Sequence, residues 1–221
     1  MTGMRSDDLA PAEPVATEAR FRLAGLLLAA GAGTRYGRPK ALVRDAAGES
    51  WLVRAALTLI EAGCDPVMVV LGARGAEAEA LLQASADRFE HPDRLRVVHA
   101  TDWADGLSAS VAAGLDTLQE SPFAGDDPVS AVVLVPVDVP DLNPATVRRL
   151  ADTATTATLR QARFAGRPGH PVVIGREHWS ALRAGLSGDT GARPYLLAHD
   201  VHPVDCDDLG TGLDVDTPPA G

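Results

Sequence analysis

Four short apolar runs constrain this chain more than any other feature. They are Leu23-Ala24-Gly25-Leu26-Leu27-Leu28, Pro66-Val67-Met68-Val69-Val70-Leu71-Gly72, residues 95–99, and Ser130-Ala131-Val132-Val133-Leu134-Val135. Each is shorter than an ordinary helix, and in all but 95–99, which carries Arg96 and His99, the apolar residues follow one another without alternation. That pattern marks strands buried on both faces, which is the signature of a parallel sheet. Helical stretches separate them. Ser50 is a good N-cap for a helix from Trp51 to about Gly63. Residues 76–83 and 107–118 form two more, and Asn143-Pro144 opens a fourth that runs to about 151, with proline in its first turn. Strands alternating with helices give βαβ units, hence an α/β fold with a mostly parallel sheet and helices on both faces. Beyond residue 151 the pattern loosens. It predicts strands over 157–164 and 171–174 separated by a Gly/Pro turn, helices over 177–186 and 192–199, and a short strand over 201–204. No repeat or low-complexity linker interrupts the chain after residue 20, so a single domain is expected.

At 221 residues the chain can bury a core without disulfide staples. Aromatics make up only 4%, so that core is aliphatic. The formal net charge of −10 argues against a general nucleic-acid or anionic-membrane binder. An acidic chain that binds an anionic small molecule needs a local basic cluster, a helix N-terminus or a divalent cation. Cys64 and Cys206 are too few for a disulfide framework and read as inert buried residues rather than nucleophiles. No apolar run approaches the roughly 20 residues of a membrane span. Residues 1–20 are rich in Pro, Ala and Glu and lack a signal-peptide apolar region. They read as a disordered N-terminal extension to a domain over 21–221, and the protein is expected in the cytoplasm.

The first run ends in Leu28-Ala29-Ala30-Gly31-Ala32-Gly33-Thr34-Arg35-Tyr36-Gly37-Arg38-Pro39-Lys40. Small residues and glycines at the carboxyl end of a first parallel strand let backbone N–H groups approach a phosphate chain. Arg35, Arg38 and Lys40 put three cations in that one loop, which suits a triphosphate. No Gly-Lys-Ser/Thr closes it, so it is not a Walker A loop. The spacing of Gly31, Gly33 and Gly37 is one residue too long for GxGxxG, which argues against a standard dinucleotide site. At the end of the fourth run, Val137-Asp138-Val139-Pro140-Asp141 puts a carboxylate on the ligand-binding rim of the sheet. Mg²⁺ commonly uses one or two such carboxylates plus substrate phosphates. Asp141 reads equally well as a turn aspartate, and Asp214-Val215-Asp216-Thr217-Pro218 could bring a second carboxylate to the ion. Three further segments are less specific: Trp103-Ala104-Asp105-Gly106-Leu107-Ser108-Ala109-Ser110, where Ser108 could simply cap a helix; the tight turn Gly166-Arg167-Pro168-Gly169-His170-Pro171; and Gly188-Asp189-Thr190-Gly191-Ala192-Arg193.

Taken together these segments resemble the MobA-like nucleotidyltransferases, most closely the branch that includes molybdenum cofactor cytidylyltransferase. The likeness spans roughly residues 23–218 and rests chiefly on the 28–40 loop and on Gly-x-Pro-Gly-His-Pro at 166–171. The resemblance implies a Rossmann-like fold and transfer of an NMP from an NTP to a phosphate-bearing acceptor such as molybdopterin cofactor, releasing pyrophosphate. It implies that the backbone of Ala29, Ala30, Gly31, Ala32 and Gly33 holds the nucleotide, with Arg35 and Lys40 on its phosphates. Gly72, Gly106, Ser108 and Ser110 would frame the base and sugar. Asp138 would be the principal Mg²⁺ ligand and Asp216 a second, so Arg35, Lys40 and Asp138 form the catalytic set. Gly169, His170, Asp189 and Arg193 would face the acceptor. Ala30 in place of a family glycine points to CTP, and a molybdoenzyme is the implied protein partner. Gly-Leu-Ser-Ala-Ser at 106–110 departs from the more common Gly-Met-Ser-Ser-Ser. Two rival readings share the scaffold: an NAD(P)H-dependent oxidoreductase of the nicotine blue type, and a catalytically silent partner that delivers cofactor. The glycine spacing speaks against the first, and the joint presence of Lys40, Asp138 and Asp216 against the second.

Overall fold

The computed structural model describes residues 21–120 and 127–217. The extension expected over 1–20 lies outside them. Strands β1 (Leu23–Ala29), β2 (Val67–Leu71), β3 (Leu95–His99) and β4 (Ala131–Pro136) alternate with helices α1 (Trp51–Glu61), α2 (Gly75–Gln83) and α3 (Leu107–Gln119). Then follow α4 (Pro144–Ala151), β5 (Leu159–Phe164), β6 (Arg167–Gly175), α5 (Trp179–Gly185), α6 (Arg193–Ala198) and β7 (His202–Asp205). Among the described residues, no helix is long and apolar enough to cross a membrane.

The seven strands form one sheet in the order β3-β2-β1-β4-β6-β5-β7. β6 runs antiparallel to both β4 and β5, whereas the β1–β2, β1–β4, β2–β3 and β5–β7 pairs are parallel. The period of two along each strand divides its continuous apolar run between two cores. Leu27 and Ala29 of β1 face α1, α2 and α4, while Ala24, Leu26 and Leu28 face α3, α5 and α6. Each fully buried leucine of this kind contributes about 1.5–3 kcal/mol. Ser50 Oγ accepts from Val53 N at the start of α1, and Asn143 Oδ1 accepts from Thr146 N at the start of α4, as the sequence predicts. Cys64 and Cys206 are buried and unpaired, and burial pushes the Cys64 thiol up to about 12.

Two expectations give way. Residues 166–171 are not one tight turn: only Ala165 and Gly166 turn, at φ +48° and +76°, and β6 begins at Arg167. A two-residue hairpin with both central residues at positive φ matches the strand twist, so pairing resumes at once. Nor is Ser108 the cap of α3. Gly106 is the N-cap residue, at φ +110°, with no side-chain cap, and Ser108 is buried in the first turn.

The strand order places the crevice. From β1 the chain steps outward through β2 to β3, then returns so that β4 lies on the other side of β1. Connections leave β1 and β4 in opposite directions, which opens a gap above their carboxyl ends, and ligands bind open α/β sheets at such a switch point.

Candidate active site

The loop after β1 turns over that gap. Gly33 sits at φ +62°, and a β-carbon there would lie 1.9 Å from Arg38 O, so glycine alone permits the turn. Gly33 O accepts from Tyr36 N at 3.0 Å and Gly37 N at 2.8 Å, which throws Arg35 outward into solvent. A single 3-10 turn over Lys40–Leu42 then carries Lys40 back toward the sheet.

Asp138 lies two residues past β4. Its backbone oxygen accepts from Val215 N at 2.9 Å, which pins the C-terminal segment beside it. Lys40 Nζ donates to Asp138 Oδ2 at 2.5 Å and to Asp216 Oδ1 at 3.1 Å, and Arg35 donates to Asp216 Oδ2 at 2.7 Å. The Lys40 and Asp138 side chains are only 15% and 12% exposed. Burial alone would lower the Lys40 pKa, but the hydrogen bonds and charges of Asp138 and Asp216 outweigh it and leave the ammonium above its usual value. The hydrogen bond from Lys40 holds Asp216 below the usual carboxylate range, with Arg35 adding to the effect.

One oxygen each of Asp138, Asp214 and Asp216 lies within 4.8 Å of the other two. Asp138 Oδ1 is buried without any hydrogen-bond partner. An orphaned buried carboxylate oxygen costs free energy that a cation would recover. An all-oxygen donor set fits a hard divalent ion such as Mg²⁺ or Mn²⁺. Asp141 stands outside that cluster: its Oδ1 is likewise buried without a partner, but its Oδ2 accepts from Thr211 Oγ1 at 2.6 Å and from Thr211 N, the role of a turn aspartate.

A cleft of about 970 Å³ opens over these groups. Ala29, Ala30, Gly31, Ala32, Gly33, Arg35, Lys40, Gly106, Ser110, Asp138, Gly169, His170, Asp189, Arg193 and Asp216 all line it. Two expected residues do not. A β-carbon on Gly72 would fall 2.5 Å from Trp103 Cγ and 2.7 Å from Ala30 O, so Gly72 lies beneath Trp103, which lines the cleft in its place. Ser108 turns inward, its Oγ buried and unpartnered. The opposite wall is built on α3: a β-carbon on Gly106 would meet Asp189 Oδ1 at 2.6 Å, and Leu107 N donates to that oxygen at 3.3 Å. His170 stands in β6 with an unpartnered, buried Nδ1. Burial lowers its pKa below 6.5, against the charges of Asp138 and Asp214 and a hydrogen bond to the Leu134 backbone.

Trp103 and Asp214 are two of the lining residues that sequence reasoning did not assign to the site. The glycine at 72 was the available signal for Trp103, since a glycine ending a buried strand marks close approach by another group. Asp214 carried no signal separating it from Asp216.

Comparison with known proteins agrees with this geometry. The chain is 36% identical over 204 residues to nicotine blue oxidoreductase of Paenarthrobacter nicotinovorans, covering 87% of this chain and 91% of that one. It superposes on Rv0371c from Mycobacterium tuberculosis H37Rv with a TM-score of 0.67 at 26% identity, covering 89% and 94% of the two chains. A nucleotidyl transferase from Methanothermobacter thermautotroptrophicus shares the fold with a TM-score of 0.63 at 22% identity, over 84% and 87%. The MobA-like NTP transferase domain matches residues 25–204. With most of its length and its whole phosphate loop inside that match, the chain belongs to the MobA-like NTP transferase family.

Proposed function

We propose that this protein moves an NMP from an NTP, CTP by preference, to a phosphate-bearing small-molecule acceptor such as molybdopterin cofactor, with release of pyrophosphate. The observation that carries the reading is the lysine-bridged carboxylate group at the switch point: Lys40 between Asp138 and Asp216, beside a loop that exposes backbone N–H groups and Arg35. The acceptor phosphate is already ionised at neutral pH, so its oxygen attacks the α-phosphorus without a protein base. The new bond joins acceptor oxygen to α-phosphorus, and the bond to the departing pyrophosphate breaks in line. Asp138 and Asp216, with Asp214 in reach, would hold Mg²⁺, which supplies neutralisation of charge on the α-phosphoryl oxygens. Lys40 and Arg35 neutralise charge developing on the pyrophosphate. The backbone over 29–33 orients the phosphates, while Gly106, Ser110 and Trp103 wall the nucleoside side. Gly169, His170, Asp189 and Arg193 face the acceptor. On this reading the working unit is the domain over 21–221, in the cytoplasm, with a molybdoenzyme as recipient of the product.

The test is a thermal-shift panel of CTP, GTP, ATP, UTP and NADPH, each with and without Mg²⁺, on the wild type and Asp138→Ala. A ligand at 1,000 times its dissociation constant adds about 4 kcal/mol, or roughly ten degrees in a chain this size. Mg²⁺-dependent stabilisation by one NTP, lost in Asp138→Ala, supports the reading and names the base. A second reading, NAD(P)H-dependent reduction, is favoured by the name of the 36% identical relative. Stabilisation by NADPH alone, indifferent to Mg²⁺ and to Asp138, would replace nucleotidyl transfer with it.

A further inference from the structure

Beside the cleft, across Tyr36 and the C-terminal strip, lies a second pocket of about 390 Å³. A hairpin builds part of its wall. Arg44 bridges Ser50, Asp45 N donates to Glu49 O at 2.9 Å, and Gly48 makes the turn at φ +82°. Helix α1 starts directly after it, and their spacing puts Trp51 and Arg54 on one side of its first turn. Both line the pocket, together with Arg44 and Asp45 of the hairpin. The C-terminal strip divides its residues between the two hollows: Asp214 and Asp216 line the cleft, whereas Val215 and Thr217 line the pocket. Tyr36 lines both and meets the Trp51 ring edge-on, with centroids 5.6 Å apart.

The donors of this pocket lack acceptors. Trp51 is only 6% exposed, and its indole Nε1 is buried without a hydrogen-bond partner. Arg54 donates through Nη1 to Asp45 Oδ2 at 2.7 Å, but its Nη2 is likewise buried and unpartnered. A buried donor left unmatched costs free energy that an acceptor would recover. Asp45 is already occupied, since its Oδ1 accepts from Ala47 N and Glu49 N and its Oδ2 from Arg54. Arg44 is exposed and donates to Gly48 O, and among the described residues no carboxylate pairs with it. Two guanidinium groups against one carboxylate leave this wall positive, in a chain whose formal net charge is −10.

We propose that this pocket is a binding site for a small oxyanion, the carboxylate or phosphate group of a small molecule, held by Arg54 Nη2 and Trp51 Nε1 with the Arg44 charge beside them. The Arg54 side chain is 30% exposed, so a turn of its guanidinium brings Nη2 to an entering anion. The volume lies within the roughly 300–1,000 Å³ of small-molecule sites. Neither Lys40 nor Asp138 lines the pocket, so the inference stands apart from the transfer reading.

The chain has three tryptophans, and their indole N–H signals in a proton–nitrogen correlation NMR spectrum report on three places. Trp51 lines the pocket, Trp103 lines the cleft, and Trp179 donates to Ile174 O at 3.0 Å in the core. Trp51→Phe and Trp103→Phe assign the signals. Sodium phosphate and sodium acetate are titrated separately into the tens of millimolar, with sodium chloride holding the ionic strength constant. The Trp51 signal should move downfield and saturate, because its N–H gains an acceptor, while that of Trp179 stays in place. Which of the two salts acts at the lower concentration separates a phosphate from a carboxylate ligand. Arg54→Gln should weaken the response about tenfold or more, since a hydrogen bond to a charged group is lost. Arg44→Gln, at an exposed position, should weaken it less, and an unmoved Trp179 signal shows that each variant is folded. No saturable Trp51 shift with either salt, which would leave its N–H to water, overturns the inference. So does a shift confined to Trp103, which would put the anion in the cleft, or a Trp51 shift that neither arginine variant weakens.

Discussion

Replacing Lys40 by methionine keeps the length and apolar stem of the side chain and removes its charge. In the wild type that charge sits 2.5 Å from Asp138 Oδ2 and 3.1 Å from Asp216 Oδ1, with the Lys40 and Asp138 side chains largely shielded from water. Exposed ion pairs are worth about 0.2–1 kcal/mol, whereas stripping one partner from a buried pair costs about 3–5 kcal/mol. This pair lies between those limits, because Asp216 is 39% exposed and the cleft admits water. We expect a loss of about 2–3 kcal/mol in Lys40→Met, or roughly 5–10 °C in the midpoint for a chain of this size. The loss should be conditional. The three carboxylates left facing one another form an all-oxygen site whose resident cation has gone, so a divalent ion can enter without displacing an ammonium group. At about 100 times its dissociation constant Mn²⁺ adds about 2.7 kcal/mol, enough to return the variant to the wild-type midpoint. The assay is thermal melting of wild type, Lys40→Met and Lys40→Met/Asp138→Asn, in chelator and with Mn²⁺, without nucleotide. Mn²⁺ should raise Lys40→Met more than the wild type, and the double variant should recover stability without any ion because its uncompensated charge is gone. A Lys40→Met variant that melts with the wild type in chelator, or gains no more from Mn²⁺ than the wild type does, refutes the view of Lys40 as a counter-ion to the carboxylates.

Asp45 accepts from Glu49 N, Ala47 N and Arg54 Nη1, which hold its carboxyl below the ordinary 3.8. A depressed pKa means that its contribution is fully present above pH 3.8 and lost as pH falls through the folded value. Melting curves of wild type and Asp45→Asn should therefore differ at pH 7 and converge only as pH falls below 3.8 and through the folded value. Asn143→Ala removes the cap of α4 and the bond from Asn143 Nδ2 to Leu209 O, and should cost about 1–2 kcal/mol in urea unfolding. Gly72→Ala forces a methyl group into Trp103 and the Ala30 carbonyl, so one of them must shift. It should weaken NTP binding by about tenfold at a stability cost of about 1–3 kcal/mol, measured by calorimetry beside a melt; unchanged NTP affinity would remove Trp103 from the nucleotide wall.

The doubly wound half of the fold was legible because β1, β2 and β4 are buried on both faces, so Leu23 to Leu28 and Ala131 to Val135 read as unbroken apolar runs, whereas β3 at the sheet edge is only partly covered and carries Arg96 and His99. Of the antiparallel β6, only the stretch over 171–174 was legible. Its first five residues carry two prolines, a glycine and a histidine, all turn-formers by local preference, yet β5, Phe164 and the Gly212 carbonyl hold them extended. Ala165 also hid the hairpin, since alanine rarely adopts the positive φ found there. At the site, the phosphate loop and Asp138 could be placed from sequence because both end strands of the parallel half. Asp214 and Asp216 could not be told apart, because their choice depends on how Val215 N docks onto Asp138 O. Trp103 reaches the cleft only because Gly72, some thirty residues earlier, leaves room for its ring.

On the proposed reading, an acidic protein would handle a polyanion here through a conditional field. With every group ionised, Asp138, Asp214 and Asp216 outnumber Lys40 and Arg35, so the resting group carries a net negative charge and repels a free triphosphate. A divalent ion on the carboxylates reverses the sign, and it also releases the two side chains that had been serving as counter-ions. Both are then free to meet phosphate oxygens, and Arg35, already exposed at the mouth, can do so without rearranging the fold. Cation and nucleotide therefore favour each other's binding by the same factor, and neither is expected to bind well alone. This coupling separates the two chemistries found on the scaffold. A pyridine-nucleotide reductase gains nothing from a binding site whose charge depends on a metal, whereas a transferase that must expel pyrophosphate needs cations that are free only when substrate and ion are both present. Titrating Mn²⁺ at increasing NTP should tighten its apparent affinity in the wild type, and much less in Lys40→Met, where one of the two released cations no longer exists. Independent binding of ion and nucleotide in the wild type would mean that the lysine bridge is structural and plays no part in transfer.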